Sequence, residues 1–189
     1  MKPLSLYNRT DLFNAAFPKT HPLVYHDGLI YGFWFLGGSR HDTTFYGAYS
    51  KNYLDRIQAL FPDASRVVHL FAGAMPVGPY TRVGMGEGEE PDIVGNAEQL
   101  ASFLPFKPDL VYADPPYSQE DAEHYGPSLV NRDRVLKEVA VVLQRGGFCV
   151  WLDQCLPVYD NSTLNLVGLI GYIRSSANRF RVVSIFRKP

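Results

Sequence analysis

The stretch that most restricts the fold is Asp109-Leu110-Val111-Tyr112-Ala113 followed by Asp114-Pro115-Pro116-Tyr117. The apolar run is short enough for a buried strand. Proline has no N–H to give to a sheet ladder, so two in succession end the strand and force a turn. The turn sets a carboxylate, two proton-free backbone nitrogens and an aromatic ring at a strand's carboxyl end. In open α/β sheets that edge is where ligands bind. The bland alternative is a helix-capping Asp beside a stiff turn. The buried strand before it and a glycine corner upstream weigh against that.

Other short apolar runs alternate with helical patterns. Leu29 to Leu36 is an aromatic strand that ends at Gly37-Gly38. Core packing is its plain reading, and a docking surface for a partner or a second copy of the chain is the sharper one. A helix capped by Ser50 carries Tyr53, Leu54, Ile57, Leu60 and Phe61 on one face and stops at Pro62. Strands follow at 66–71, 81–85 and 92–94, with a short helix at 97–104. Residues 119–125 read as a polar helix or lid. Asn131 caps the strongest helix, whose apolar face runs from Val135 to Leu143 and which ends at Gly146-Gly147. A buried strand at 148–152 and two strands between Leu166 and Phe186 close the chain. Residues 1–30 read as irregular or briefly helical. The pattern predicts an α/β fold with an open, mostly parallel twisted sheet and an antiparallel edge.

With 189 residues the chain suits a single domain over 1–189, with 1–44 as an N-terminal extension packed on it. The net charge of −1 supplies no bulk field for nucleic acid. Cys149 and Cys155 form neither a disulfide framework nor a metal-ligand spacing, and the five histidines are not spaced as ligands, so no metal is expected. His69 reads as a core histidine, and His124, close after the tetrapeptide, could line a substrate side. The amino terminus lacks a signal-peptide pattern and no stretch approaches transmembrane length. A soluble, cytoplasmic protein without membrane contact is the expectation.

Two more stretches belong with Asp114 to Tyr117. Leu70-Phe71-Ala72-Gly73 leaves a strand through small residues, which lets a ligand approach the backbone. Asn96-Ala97 follows another strand, where Asn96 could bond an adenine edge or simply cap a helix. With these residues in place, the chain resembles the S-adenosylmethionine-dependent amino-methyltransferases that carry a DPPY motif, above all the adenine-N6 DNA methyltransferases. Phe71 and Gly73 match that family's F-x-G-x-G corner, and Asp114 to Tyr117 match its tetrapeptide. Tyr46-Gly47-Ala48-Tyr49-Ser50-Lys51 is a looser match to the segment that contacts the cofactor's methionine part. The resemblance covers about residues 45–155. Three features depart from it. Met75-Pro76 stands where the corner's last Gly and its helix would be. Gly84 stands where an acid often binds the ribose, with Glu87 the nearest replacement. Finally, the 41 positions from Gly73 to Asp114 leave little room for two crossover helices, so a trimmed fold without a separate target-recognition domain is expected.

The resemblance implies S-adenosylmethionine as cofactor, held by Tyr46, Gly47, Lys51, Leu70, Phe71, Ala72, Gly73, Glu87, Asn96, Ala97 and Asp114. It implies methyl transfer to the N6 amine of adenine in DNA, the base being flipped out of the stack. Asp114, Pro115, Pro116 and Tyr117 would form the catalytic set. The Asp114 carboxylate and Pro115 carbonyl would accept the amine's N–H bonds, and Tyr117 would stack on the base. Arg174, Arg179 and Arg181, with Arg187, are the basic cluster for phosphates, the plain reading being a solvated strand face. Arg132, Arg134 and Lys137 read as surface charges. A homodimer or a partner subunit is expected to supply target recognition. The alternatives are an RNA base methyltransferase acting on adenine or guanine, and a non-catalytic methyltransferase-like subunit that scaffolds a partner.

Overall fold

Proline and glycine punctuation cuts the chain into short elements, and these assemble around one sheet. The computed structural model describes residues 3–36, 51–73, 75–86, 90–117, 130–174 and 180–189, the side chains of Lys51 and Arg174 excepted. The strands are β1 (Val24–His26), β2 (Leu29–Leu36), β3 (Val67–Leu70), β4 (Thr81–Gly84), β5 (Ile93–Val94), β6 (Leu110–Ala113), β7 (Phe148–Asp153), β8 (Asn165–Arg174) and β9 (Phe180–Arg187). Across the sheet they run β5-β4-β3-β6-β7-β9-β8-β2-β1. β5, β4, β3, β6 and β7 are mutually parallel, and β9 lies antiparallel between β7 and β8. The expected antiparallel pair is therefore inside the sheet. The residues read as irregular or briefly helical supply α1 (Leu6–Ala16), β1 and part of the sheet's far side, where β2 runs parallel to β8. Local polar bonds explain why this stretch is regular. The Ser5 hydroxyl accepts from the Asn8 N–H at 3.1 Å, and the Asn14 side chain bonds both the N–H and carbonyl of Leu23, just ahead of β1.

Alternation along the strands builds two apolar layers. Trp34, Tyr112, Val150, Ile170, Tyr172 and Ile185 face α1 and α2 (Lys51–Leu60), which contributes Tyr53, Ile57 and Leu60. Val68, Leu70, Val111, Cys149 and Trp151 face the other way, toward α3 (Leu100–Phe103) and α4 (Arg132–Val142). In β2, Ile30, Trp34 and Leu36 are core, whereas Tyr31, Phe33 and Phe35 are exposed on the opposite face. Arg9 ties α1 to the end of α2. It bonds Asp63 at 2.6 Å and the Leu60 carbonyl at 3.0 Å, and its guanidinium packs on the rings of Phe61 and Phe148.

The crossovers are trimmed. Among the described residues no helix lies between β3 and β4 or between β4 and β5. The β5–β6 link holds only a 3-10 turn (Ala97–Gln99) and the four-residue α3. No helix among the described residues is long and apolar enough to cross a membrane.

Candidate active site at the carboxyl edge of the sheet

Strand order reverses between β3 and β6: from β3 the sheet grows outward through β4 to β5, then resumes on the other side with β6. Such a switch point splays the loops apart and leaves a crevice. Leu70 pairs with Ala113 in the ladder, so Phe71 and Asp114 leave the sheet side by side, roughly 5 Å apart by strand spacing. The two motifs read from the sequence therefore flank the same crevice.

The corner has a restricted backbone. Phe71 adopts φ +56° and Gly73 φ +50°. The left-handed region is easy for glycine but costly for phenylalanine, and such conformations cluster where a ligand must meet the backbone. The Ala72 N–H donates to the Val83 carbonyl at 3.2 Å and the Met75 N–H to the Ala72 carbonyl at 3.1 Å, which curl the loop. Arg82, on β4, braces it. Its guanidinium donates to the carbonyls of Met75 and Glu90, each at 2.9 Å, and pairs with Asp92, whose carboxyl it holds below the ordinary carboxylate range. Sequence reasoning missed Arg82. A charged residue in a buried strand was the available signal, since such a group has to be paired.

At the tetrapeptide, Pro115 and Pro116 are buried and Asp114 and Tyr117 half-buried. The Tyr117 hydroxyl donates to Asp114 Oδ1. The Arg181 guanidinium, reached across the sheet from β9, sits 4.3 Å from the centre of the Tyr117 ring. Of the expected phosphate cluster, Arg181 is thus at the crevice. Arg187 pairs in register with Phe148 at the start of β7, at the opposite edge of the sheet, and does not join it. Arg174 ends β8, and Arg179 lies outside the described residues, as do Tyr46, Gly47, Glu87, His124 and the expected lid at 119–125. Lys51 opens α2. Asn96 is exposed, and its side-chain oxygen accepts from the Glu98 N–H at 2.9 Å, capping the 3-10 turn in which Ala97 is buried.

Arg132 is not a surface charge. Its Nε donates to Asp153 Oδ2 at 2.6 Å and its Nη2 to the Pro116 carbonyl at 3.2 Å. Asp153, 1% exposed, ends β7 and also accepts from Trp151 Nε1 and the Gln154 N–H. Two sequence signals pointed here. An arginine in the first turn of a helix opposes the helix dipole unless something else holds it, and a carboxylate ended an otherwise apolar strand.

Behind the crevice, His69 on β3 stacks on Tyr112 of β6, with ring centres 4.4 Å apart and planes 6° from parallel. Burial pushes its pKa down to about 3, so the imidazole is neutral, a core histidine as read. Cys149 is fully buried, and burial pushes its thiol pKa up.

Among solved structures, the chain is similar to the methyltransferase TrmN from Thermus thermophilus, with a TM-score of 0.53 and 15% identity over 71% of this chain and 48% of that one. It thus spans about half of the TrmN chain. A hemolysin candidate from Streptococcus thermophilus matches at a TM-score of 0.45 and 12% identity, over 79% of this chain and 69% of that one. No protein-family model and no curated protein sequence matches. The strand order and the likeness to TrmN together make this a Rossmann-like methyltransferase fold.

Proposed function

We propose that the protein transfers a methyl group from S-adenosylmethionine to the exocyclic N6 amine of adenine in DNA. The observation that carries the reading is the joint position of the Phe71–Gly73 corner and the Asp114–Tyr117 turn, on neighbouring strands at the switch point. The corner fits the cofactor. Its small residues and left-handed backbone leave main-chain groups open to a close ligand, which Leu70, Phe71, Ala72 and Gly73 would hold. Bound there, the sulfonium group supplies an electrophilic methyl.

The chain's own residues do the rest. The N6 lone pair is delocalised into the purine ring, so the amine is a weak nucleophile. The Asp114 carboxylate and the Pro115 carbonyl accept its two N–H bonds, and these bonds strengthen as positive charge develops on nitrogen. A carboxylate offers about four lone-pair sites, so Asp114 can take an amine N–H while keeping the Tyr117 hydroxyl. The Tyr117 ring, backed by Arg181, gives the base a stacking surface. Proton loss follows transfer, so the site needs a carboxylate that stays ionised and no stronger base.

The test is methylation of plasmid DNA and of total RNA with isotopically labelled methyl donor, identification of the modified nucleoside, and Asp114→Ala as control. N6-methyladenine in DNA that is lost in the control supports the proposal. Signal on RNA alone would assign the activity to an RNA base, and no signal together with no cofactor binding by calorimetry would favour a scaffold.

A further inference from the structure

The tetrapeptide turn has few soft torsions. Both prolines have φ locked near −65° by their rings, and Asp114 and Pro115, each preceding a proline, are held to extended ψ. The backbone rotation left free between the Cα atoms of Asp114 and Tyr117 is ψ of Pro116, which swings the Pro116 carbonyl and the Tyr117 peptide together. That carbonyl is the group that accepts from Arg132 Nη2 at 3.2 Å. Arg132 is itself fixed through Nε to Asp153, buried at the end of the neighbouring strand β7. We propose that Arg132 is a positioning residue: bridging Asp153 and the Pro116 carbonyl, it locks the last free backbone torsion between the Cα atoms of Asp114 and Tyr117 and so sets Tyr117 against Asp114. The inference rests on the methyltransferase reading above.

A loose turn would still admit the base but would misplace the Tyr117 ring, and the hydroxyl it donates to Asp114, in the transition state. The loss therefore falls on kcat more than on KM. Arg132→Ala would leave Asp153 buried without a countercharge and can fail to fold, so the informative variant is Arg132→Lys. An ammonium can pair with Asp153, but it lacks the guanidinium fork that spans both acceptors. Its kcat, counted per cofactor-binding site by calorimetric stoichiometry, should fall about 10- to 100-fold, with the cofactor Kd within about twofold of wild type. The exposed neighbour Arg134, changed to Lys, should leave both unchanged. Adding Asp153→Asn to Arg132→Lys should cost less than the product of the single losses, since both act through one bridge.

A second readout needs no activity. Pro79-Tyr80 and Pro116-Tyr117 are the two Pro–Tyr pairs in the chain. Carbonyl-labelled proline with nitrogen-labelled tyrosine therefore gives two correlated NMR signals. In Arg132→Lys the Pro116 signal should move upfield and the Pro79 signal should stay. An unmoved Pro116 signal, or a kcat per site within about threefold of wild type, would overturn the inference. A wild-type protein that methylates nothing would instead refute the methyltransferase reading, and the carbonyl shift would still decide the lock.

Discussion

His69 offers a measurable test of how the two motif-bearing strands are joined. Its imidazole is 3% exposed and lies flat on Tyr112, with the edge of Tyr80 at 4.7 Å between ring centres. The native pKa is about 3 against an ordinary value of 6.5, the cause being burial. The folded state therefore binds this proton less readily than the unfolded chain. Its stability is complete above about pH 6.5 and drains away as pH falls toward 3. At about pH 5 the unfolded chain is mostly protonated at this site and the native state is not, a difference of about 2 kcal/mol. The measurement is urea unfolding at about pH 8 and about pH 5, on the wild type and on His69→Phe. Phenylalanine keeps an aromatic face for Tyr112 and cannot titrate. Any repacking cost is the same at both pH values, and the carboxylates elsewhere contribute equally to both proteins. The wild type should lose about 2 kcal/mol more than the variant between the two conditions. Equal losses would mean that His69 charges freely in the native state, and so that the β3–β6 stack is open to water.

Two substitutions at the crevice carry their own expected outcomes. Asp114→Asn keeps the shape but replaces a charged acceptor by a neutral one. A charge-assisted hydrogen bond contributes about 1.5–3 kcal/mol, so single-turnover methyl transfer should slow by about 10- to 150-fold. Gly73→Ala places a Cβ on a residue at φ +50°. It should destabilise the fold by about 1 kcal/mol in urea titration and weaken cofactor binding in calorimetry.

The sheet was readable because its signals are local. β2, β6 and β7 are compact apolar runs bounded by glycine or proline, and the bounds of β2, β6 and α4 fall close to those expected from Leu29–Leu36, Asp109–Ala113 and Asn131. α1 was readable only as a brief helical stretch without bounds. Its apolar side chains make no clean stripe, and it stands because Arg9 and Asn14 reach partners at residues 60–63 and 23. The same limit applies at the crevice. Asp114, Tyr117 and Gly73 announce themselves by motif, whereas Arg82 and Arg132 matter through carbonyls seven or more positions away, which only the tertiary fold brings near.

The arginines also explain how a chain of net charge −1 divides its charge between structure and surface. Arg9, Arg82 and Arg132 each meet a carboxylate and at least one backbone carbonyl, so their charge is spent inside the molecule, on α1, the corner and the turn. A guanidinium suits that task because its planar fork can bond a carboxylate and a carbonyl at once. Arg181 differs. It meets an aromatic face and makes no ion pair with a described carboxylate, so its charge remains at the edge where Asp114 and Tyr117 stand. On the proposed reading, the described residues of this edge supply rigid groups to orient a planar base and little fixed positive charge to grip a polymer. Chemistry on the base and hold on the strand are then separate problems for this fold, and the described residues are organised around the first.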